Sequence, residues 1–282
     1  PSTGGSTPFS TATETASLTV NPVADTPLVT NATTNEDTQS TSGLVLSRNV
    51  ADGSEVTHFK ITGITNGTLY KNDGTTQITN GTFITFAEGN AGLKFTPTPD
   101  FNGNGTFTIQ ASTSNVDGGL GGSTVAATIT VNAVNDDPSG SGSLTATSLN
   151  DNAGATSLFG GLSVTDVDTG EADLSLTITL TTPSAGTITG GGFTETGVGT
   201  GIYTVTGLTT VTADTALDNV QFTPTNNSGP SGTFNTDMSV TVNDQGGGGE
   251  QTILAATTVT ITRVNDAPAV SLPGAPLNYT EN

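Results

Sequence analysis

Cysteine and tryptophan are absent from this chain, and histidine and methionine occur once each in its 282 residues. Without cysteine the fold uses no disulfide, and with a single histidine it cannot build a Cys/His zinc site or a Cys–His dyad. Basic residues are nearly as scarce: five Lys and Arg stand against 25 Asp and Glu, for a formal net charge of −20. A nucleic-acid binder needs cations to displace counterions from phosphates, so that class is excluded, and anionic membrane surfaces with it. No apolar run approaches the length of a membrane span, so membrane insertion of this segment is excluded. Aromatics make up 5% of the chain, with three Tyr. That is little for a carbohydrate-binding module, which stacks sugars on aromatic platforms.

The chemistry of catalysis is also thin. The one histidine, His58, lies in the alternating run VTHFKITG beside Lys60 and reads as an outward strand residue rather than a base. The glycine runs at 190–192 and 246–249 lack the Lys-Ser/Thr of a phosphate-binding loop and read as flexible loop tips. No segment has the Asp-x-Asn-x-Asp-Gly pattern of an EF-hand. The chain is read as a non-enzyme.

What is abundant is threonine, roughly one residue in five, with Gly, Asn, Asp and Ser around it. Threonine is β-branched and favours strands, whereas Gly, Asn and Asp supply turns. Leu174, Leu176, Ile178 and Leu180 alternate with Ser and Thr, as do Val125, Ala127, Ile129 and Val131. This period of two marks strands with one buried face. Asn-Gly at 66–67 and 80–81 and Asp-Gly at 52–53 and 73–74 mark turns at sandwich spacing. Helix is expected only as one turn over 212–217.

One motif occurs three times and sets the organisation. It reads LTVNPVADTP over 18–27, ITVNAVNDDP over 129–138 and VTITRVNDAP over 259–268. Each copy is a strand, an acidic tripeptide and a proline that breaks the ladder. Pro27, Pro138 and Pro268 are 111 and 130 residues apart, the length of whole β-sandwich domains. A second motif keeps register: Phe95-Thr96-Pro97-Thr98 and Phe222-Thr223-Pro224-Thr225, each followed by a turn and a further strand. The expected division is 1–26 as the last strands of a preceding repeat, 27–137 and 138–267 as two sandwiches, and 268–282 as the first strand of a following one. The chain thus reads as a window of a longer protein.

The strings FTPTPDFNGNGTFTIQAS, DGGLGG and TITVNAVNDDP, and the stretch GTLYKNDGTTQITNGTFITFAEGNAGLKFTP, resemble the cadherin-like tandem repeats of giant bacterial surface proteins. The resemblance covers the whole chain. It implies an all-β fold of tandem Greek-key, immunoglobulin-like sandwiches in an elongated array, at the cell surface or outside the cell. It implies a structural role, as an adhesin stalk or an extracellular fibre. Partners are then other repeats of the same chain and, in a fibre, neighbouring copies joined by strand addition.

Calcium takes about six to eight oxygen ligands drawn from several segments. For the middle junction the sequence offers Asn135, Asp136 and Asp137 in the linker, Asp166 and Asp168 in VTDVDTG, and Asp244 in VNDQGGGG. Glu36, with Asp37 beside it, resembles the acid that a preceding cadherin repeat contributes. The flanking junctions are poorer. The first has Asp25, Asp52 and Asp117, and the third has Asn265 and Asp266, with Asp151 and Glu281 equivalent by their offset from the motif's proline. Turn capping by Asp and Asn accounts for the isolated residues equally well. Six Asn-x-Ser/Thr sequons, at Asn31, Asn66, Asn80, Asn104, Asn226 and Asn278, offer glycosylation sites.

Overall fold

The structure, a computed structural model, describes residues 16–168, 173–226, 232–246 and 249–265. The chain divides into two compact units, Pro1–Val134 and Asn135–Asn282.

In the first unit the strands are β1 (Leu28–Val29), β2 (Ala32–Asn35), β3 (Leu46–Ser47), β4 (His58–Thr65), β5 (Gly67–Tyr70), β6 (Gln77–Ile78), β7 (Phe83–Thr85), β8 (Lys94–Pro97), β9 (Gly103–Ser112) and β10 (Leu120–Asn132). A short helix, α1 (Phe86–Asn90), lies between β7 and β8. One layer is a five-stranded sheet in the order β2-β10-β9-β4-β7, and the other combines the β1-β3 pair with β6-β5-β8. The first strand is split between layers: β1 runs antiparallel to β3, and β2 runs parallel to β10.

The second unit repeats this plan with β11 (Ser139–Gly142), β12 (Ser148–Asn150), β13 (Leu162–Thr165), β14 (Leu174–Leu180), β15 (Gly186–Gly190), β16 (Thr194–Glu195), β17 (Ile202–Leu208), β18 (Val220–Pro224), β19 (Thr233–Asn243) and β20 (Gln251–Thr262). Here β11 pairs antiparallel with β13, and β12 pairs parallel with β20. The main sheet has the order β12-β20-β19-β14-β17-β16. Helix α2 (Thr210–Asn219) occupies the place of α1.

Alternation dictates the cores. Along β14 every Leu and Ile is buried and every Ser and Thr is not, so the strand presents one greasy face to the opposite layer. Phe59, Ile61, Phe95, Phe107, Ile109 and Ile129 fill the first unit, and Leu176, Ile178, Phe222, Val240, Val259 and Ile261 the second. The Phe-Thr-Pro motif places its Phe at the centre of each core. A Cβ on Gly67 or Gly105 would lie 2.4 or 2.5 Å from the Phe95 ring, and one on Gly186 lies 2.4 Å from Phe222. Glycine is required where these rings cross backbone.

Two readings of the sequence change. Helix α1 is unanticipated, and α2 runs ten residues rather than one turn. The run Gly190–Gly192 forms the turn from β15 to β16 and is packed against α2: all three residues have positive φ, and a Cβ on Gly191 would meet the Ala216 carbonyl oxygen of α2 at 2.3 Å.

Candidate metal centre

In the second unit the entering chain is held by acids from two loops. The amide of Asp136 donates to Asp168 Oδ2 (2.6 Å), and the amide of Asp168 donates to Asp166 Oδ1 (3.0 Å). Asp166 and Asp168 sit in the loop between β13 and β14. From the β19–β20 loop, Asp244 accepts from Asn135 Nδ2 (2.7 Å) and from the Gly246 amide (2.9 Å). The loop lies so close on Asn135 that a Cβ at Gly246 would sit 2.2 Å from its side-chain amide. Asp137 points to the sheet, where its Oδ2 accepts from Gln251 Nε2 (3.0 Å).

This end is short of positive charge. Burial pushes the Asp166 carboxyl above its ordinary range, and the charges of Asp168, Asp244 and Asp173 push it the same way, against a pull from the Asp168 amide. Asp244 is almost wholly buried, at 2% exposure. Asp173 belongs to the group electrostatically, although it stands outside the Asp-x-Asp loop and was not singled out from the sequence. All these donors are oxygens on short side chains, the kind a hard cation such as calcium takes and zinc does not favour. Among the described residues, no three carboxylates of the second unit alone converge within 4.8 Å. Further donors have to complete any cage.

At the corresponding end of the first unit the frame recurs with fewer charges. The amide of Asp25 donates to Asp52 Oδ1 (3.0 Å), as that of Asp136 does to Asp168. Asn49 takes the place that Asp166 fills: its Oδ1 accepts from the Ala51 amide and its Nδ2 donates to the Thr26 carbonyl, both at 3.0 Å. Asp117 is drawn elsewhere, into an ion pair with Lys60 Nζ at 2.6 Å. Asp25, Asp52 and Asp117 therefore do not form one cluster.

Glu36 and Asp151 have one role in the two units. Each follows the strand that pairs in parallel with the last one. Glu36, 3% exposed, accepts the Val134 amide on Oε1 (2.6 Å) while its own amide donates to the Asn132 carbonyl (3.0 Å). Asp151, fully buried, accepts the Val264 amide on Oδ1 (2.9 Å) while its amide donates to the Thr262 carbonyl (2.9 Å). In both, a buried carboxylate grips the chain one residue before the Asn-Asp pair of the motif. Asp37 is exposed, with a left-handed backbone, and accepts from the Asp100 amide (3.2 Å). Asn265 is exposed at the end of the described residues, and Asp266 and Glu281 lie outside them.

Of the sequons, Asn31, Asn66 and Asn80 already hold backbone groups: the Thr128 amide, the Asn104 carbonyl and the Ile64 amide respectively. Asn104 and Asn226 are exposed, and Asn278 lies outside the described residues.

No family model matches the chain, and no curated protein matches it. Solved structures do. The chain is similar to human CDH23 EC21-23, with a TM-score of 0.43 and 13% identity over 86% of this chain and 70% of that one. It is similar to mouse cadherin-23 EC22-24 (TM-score 0.42, 11% identity, 85% of this chain and 66% of that one). For Drosophila N-cadherin EC1-4 the figures are a TM-score of 0.41, 12% identity, and 86% and 50% coverage. The all-β sandwich plan itself rests on the strand order and pairing of the two units.

Proposed function

We propose that the chain is a load-bearing repeat segment of an extracellular stalk or fibre, in which calcium binds where the chain enters the second unit. The observation that carries this is the crowding of Asp166, Asp168, Asp173 and Asp244 around the entering strand, with Asp166 held above its ordinary pKa. Such a group repels itself until a cation arrives, and binding to the folded state alone then adds stability. Asp136, Asp166, Asp168, Asp244 and the Asn135 side-chain oxygen are the ligands of the second unit. Glu36 holds the Val134 amide within the first unit, and water or main-chain oxygens supply the remaining donors of the cage. Calcium then pins the entering strand to the two acidic loops of its own repeat and stiffens the start of that repeat. Asp25 and Asp52 bind it weakly or not at all.

Nothing in this role calls for catalysis. His58 is half-buried on the outward face of β4, where its Nδ1 lies 2.8 Å from the Thr57 hydroxyl.

Isothermal titration of the chelator-treated chain with calcium tests the proposal. One principal site is expected, with a Kd in the range of about 10⁻⁵ to 10⁻³ M, and the pair Asp166→Ala with Asp168→Ala should weaken it at least tenfold. Equal binding by that variant, or no heat at any calcium concentration, overturns the assignment.

A further inference from the structure

The outward face of the main sheet in the second unit carries a row of threonines in register across five strands. Thr194 pairs with Thr204, Thr204 with Thr177, Thr177 with Thr241, and Thr241 with Thr252. Alternation with buried Leu176, Ile178, Val240 and Val242 turns these side chains away from the core. The next row along holds Ile202, Thr179 and Ser239, and beyond it lie Asn235 with Thr260. The one carboxylate among them, Asp237, is bonded to Thr258 Oγ1 at 2.6 Å. A face this free of charge is notable on a chain of net charge −20. Solvent-facing strand positions ordinarily carry Lys and Glu, which keep sheets apart.

The first unit shows the same property on a different sequence. On its five-stranded sheet Thr62 pairs with Thr108, Thr106 with Thr128, and Thr130 with Thr33. Its charged residues there, Lys60 and Asp117, neutralise each other.

We infer that these threonine faces are docking surfaces for a second copy of the chain. The charge distribution selects the occupant. Two bodies of −20 repel wherever their acidic loops meet, and a neutral face against its own copy brings them together with the fewest like charges opposed. Threonine methyls supply apolar contact and hydroxyls supply donors and acceptors on both sides, so the surface is complementary to itself. Twisted sheets pack face to face in this way inside any sandwich. On the second unit's face a sugar would find no tyrosine platform, because Tyr203 on β17 is turned into the core.

The size sets the strength. Six strands at a spacing of about 4.8 Å, over about 20 Å of strand, give roughly 500 Å² per copy, below the about 800 Å² per partner of a stable complex. One pair of faces is therefore weak, and strong association comes from many repeats acting together.

Sedimentation velocity of the whole chain, from micromolar to near-millimolar concentration, tests this independently of calcium binding. Reversible self-association is expected, and it should tighten severalfold as sodium chloride rises from about 20 to 500 mM, because salt screens the acidic bodies while the contact itself is uncharged. Thr177→Glu with Thr241→Glu, at outward positions whose folding circular dichroism would verify, should leave a monomer throughout. Val198→Glu with Val211→Glu adds the same charge at exposed sites off the face and should associate like the parent. A parent chain that stays monomeric in all salts overturns the inference, as does a Thr177/Thr241 variant that associates unchanged. So does a monomer that is instead retained on a neutral polysaccharide matrix through this face.

Discussion

Asp25 and Asp136 occupy the same place in the repeat, and each gives its amide hydrogen to a carboxylate of the loop between the third and fourth strands, Asp52 or Asp168. Around that shared bond the two units diverge. The first surrounds it with Ala24, Thr26 and Asn49, and pairs its remaining acid, Asp117, with Lys60. The second surrounds it with Asn135, Asp137 and Asp166, and adds Asp244 and Asp173. One backbone frame thus serves two purposes. Where amides and hydroxyls satisfy the entering chain, the frame is held by hydrogen bonds alone; where carboxylates crowd it, the same frame carries repelling negative charges. The difference teaches that the acidic motif alone does not gather carboxylates, because the first unit has the motif and sends Asp117 to Lys60 instead.

The buried acids that end each unit give the largest expected effect. Glu36→Ala removes the buried carboxylate that accepts the Val134 amide, a hydrogen bond to a charged group, and should cost about 1–3 kcal/mol of unfolding free energy. Asp151→Ala should cost a similar amount through Val264. Denaturant titration in the presence of chelator measures both, and a loss well under 1 kcal/mol from either would mean that the latch has no stabilising role without the cation.

The contrast between the entering ends can be narrowed by design. Val50 is fully exposed beside Asp52, and Thr26 stands where the second unit has Asp137. Thr26→Asp with Val50→Asp should give the first unit a weak calcium site, with a Kd near about 1 mM, read as a second phase in the titration. If none appears, the number of carboxylates is not what separates the two ends.

A smaller effect carries a sign. The folded state holds the Asp166 proton more tightly than the unfolded chain does, so its charge costs stability at pH 7, and the cost fades as pH falls through the raised pKa. Without calcium, Asp166→Asn should therefore raise the Tm at pH 7 by about 1–2 °C, and the advantage should shrink on acidification. With calcium the same change should lower the Tm. Melts at pH 7 and pH 4, with and without calcium, check all three.

Much of this was legible in the sequence, and the rest was hidden for identifiable reasons. The alternation from Leu174 to Leu180 becomes β14, and the Phe-Thr-Pro motif becomes β8 and β18 with its Phe at each core. Helix α1 was missed because five residues are too few to show a helical period. Its sign was the capping box, Thr85 with Glu88 three residues on, reinforced by Lys71 donating to Glu88 at 2.6 Å. The linker acids were found through their repeat. Asp173 was not, since it opens a strand outside the Asp-x-Asp loop, and the capture of Asp117 by Lys60 spans 57 positions that only the folded chain brings together. The grip of Glu36 on Val134 likewise depends on the parallel pairing of β2 with β10.

Amide hydrogen exchange of the whole chain, with calcium and with chelator, tests the central claim most directly. Calcium should slow exchange at 135–137, 166–168 and 244–246, and leave 25–26 and 49–52 unchanged. Equal protection at both ends, or none at either, would contradict the assignment of the cation to the second unit's entry.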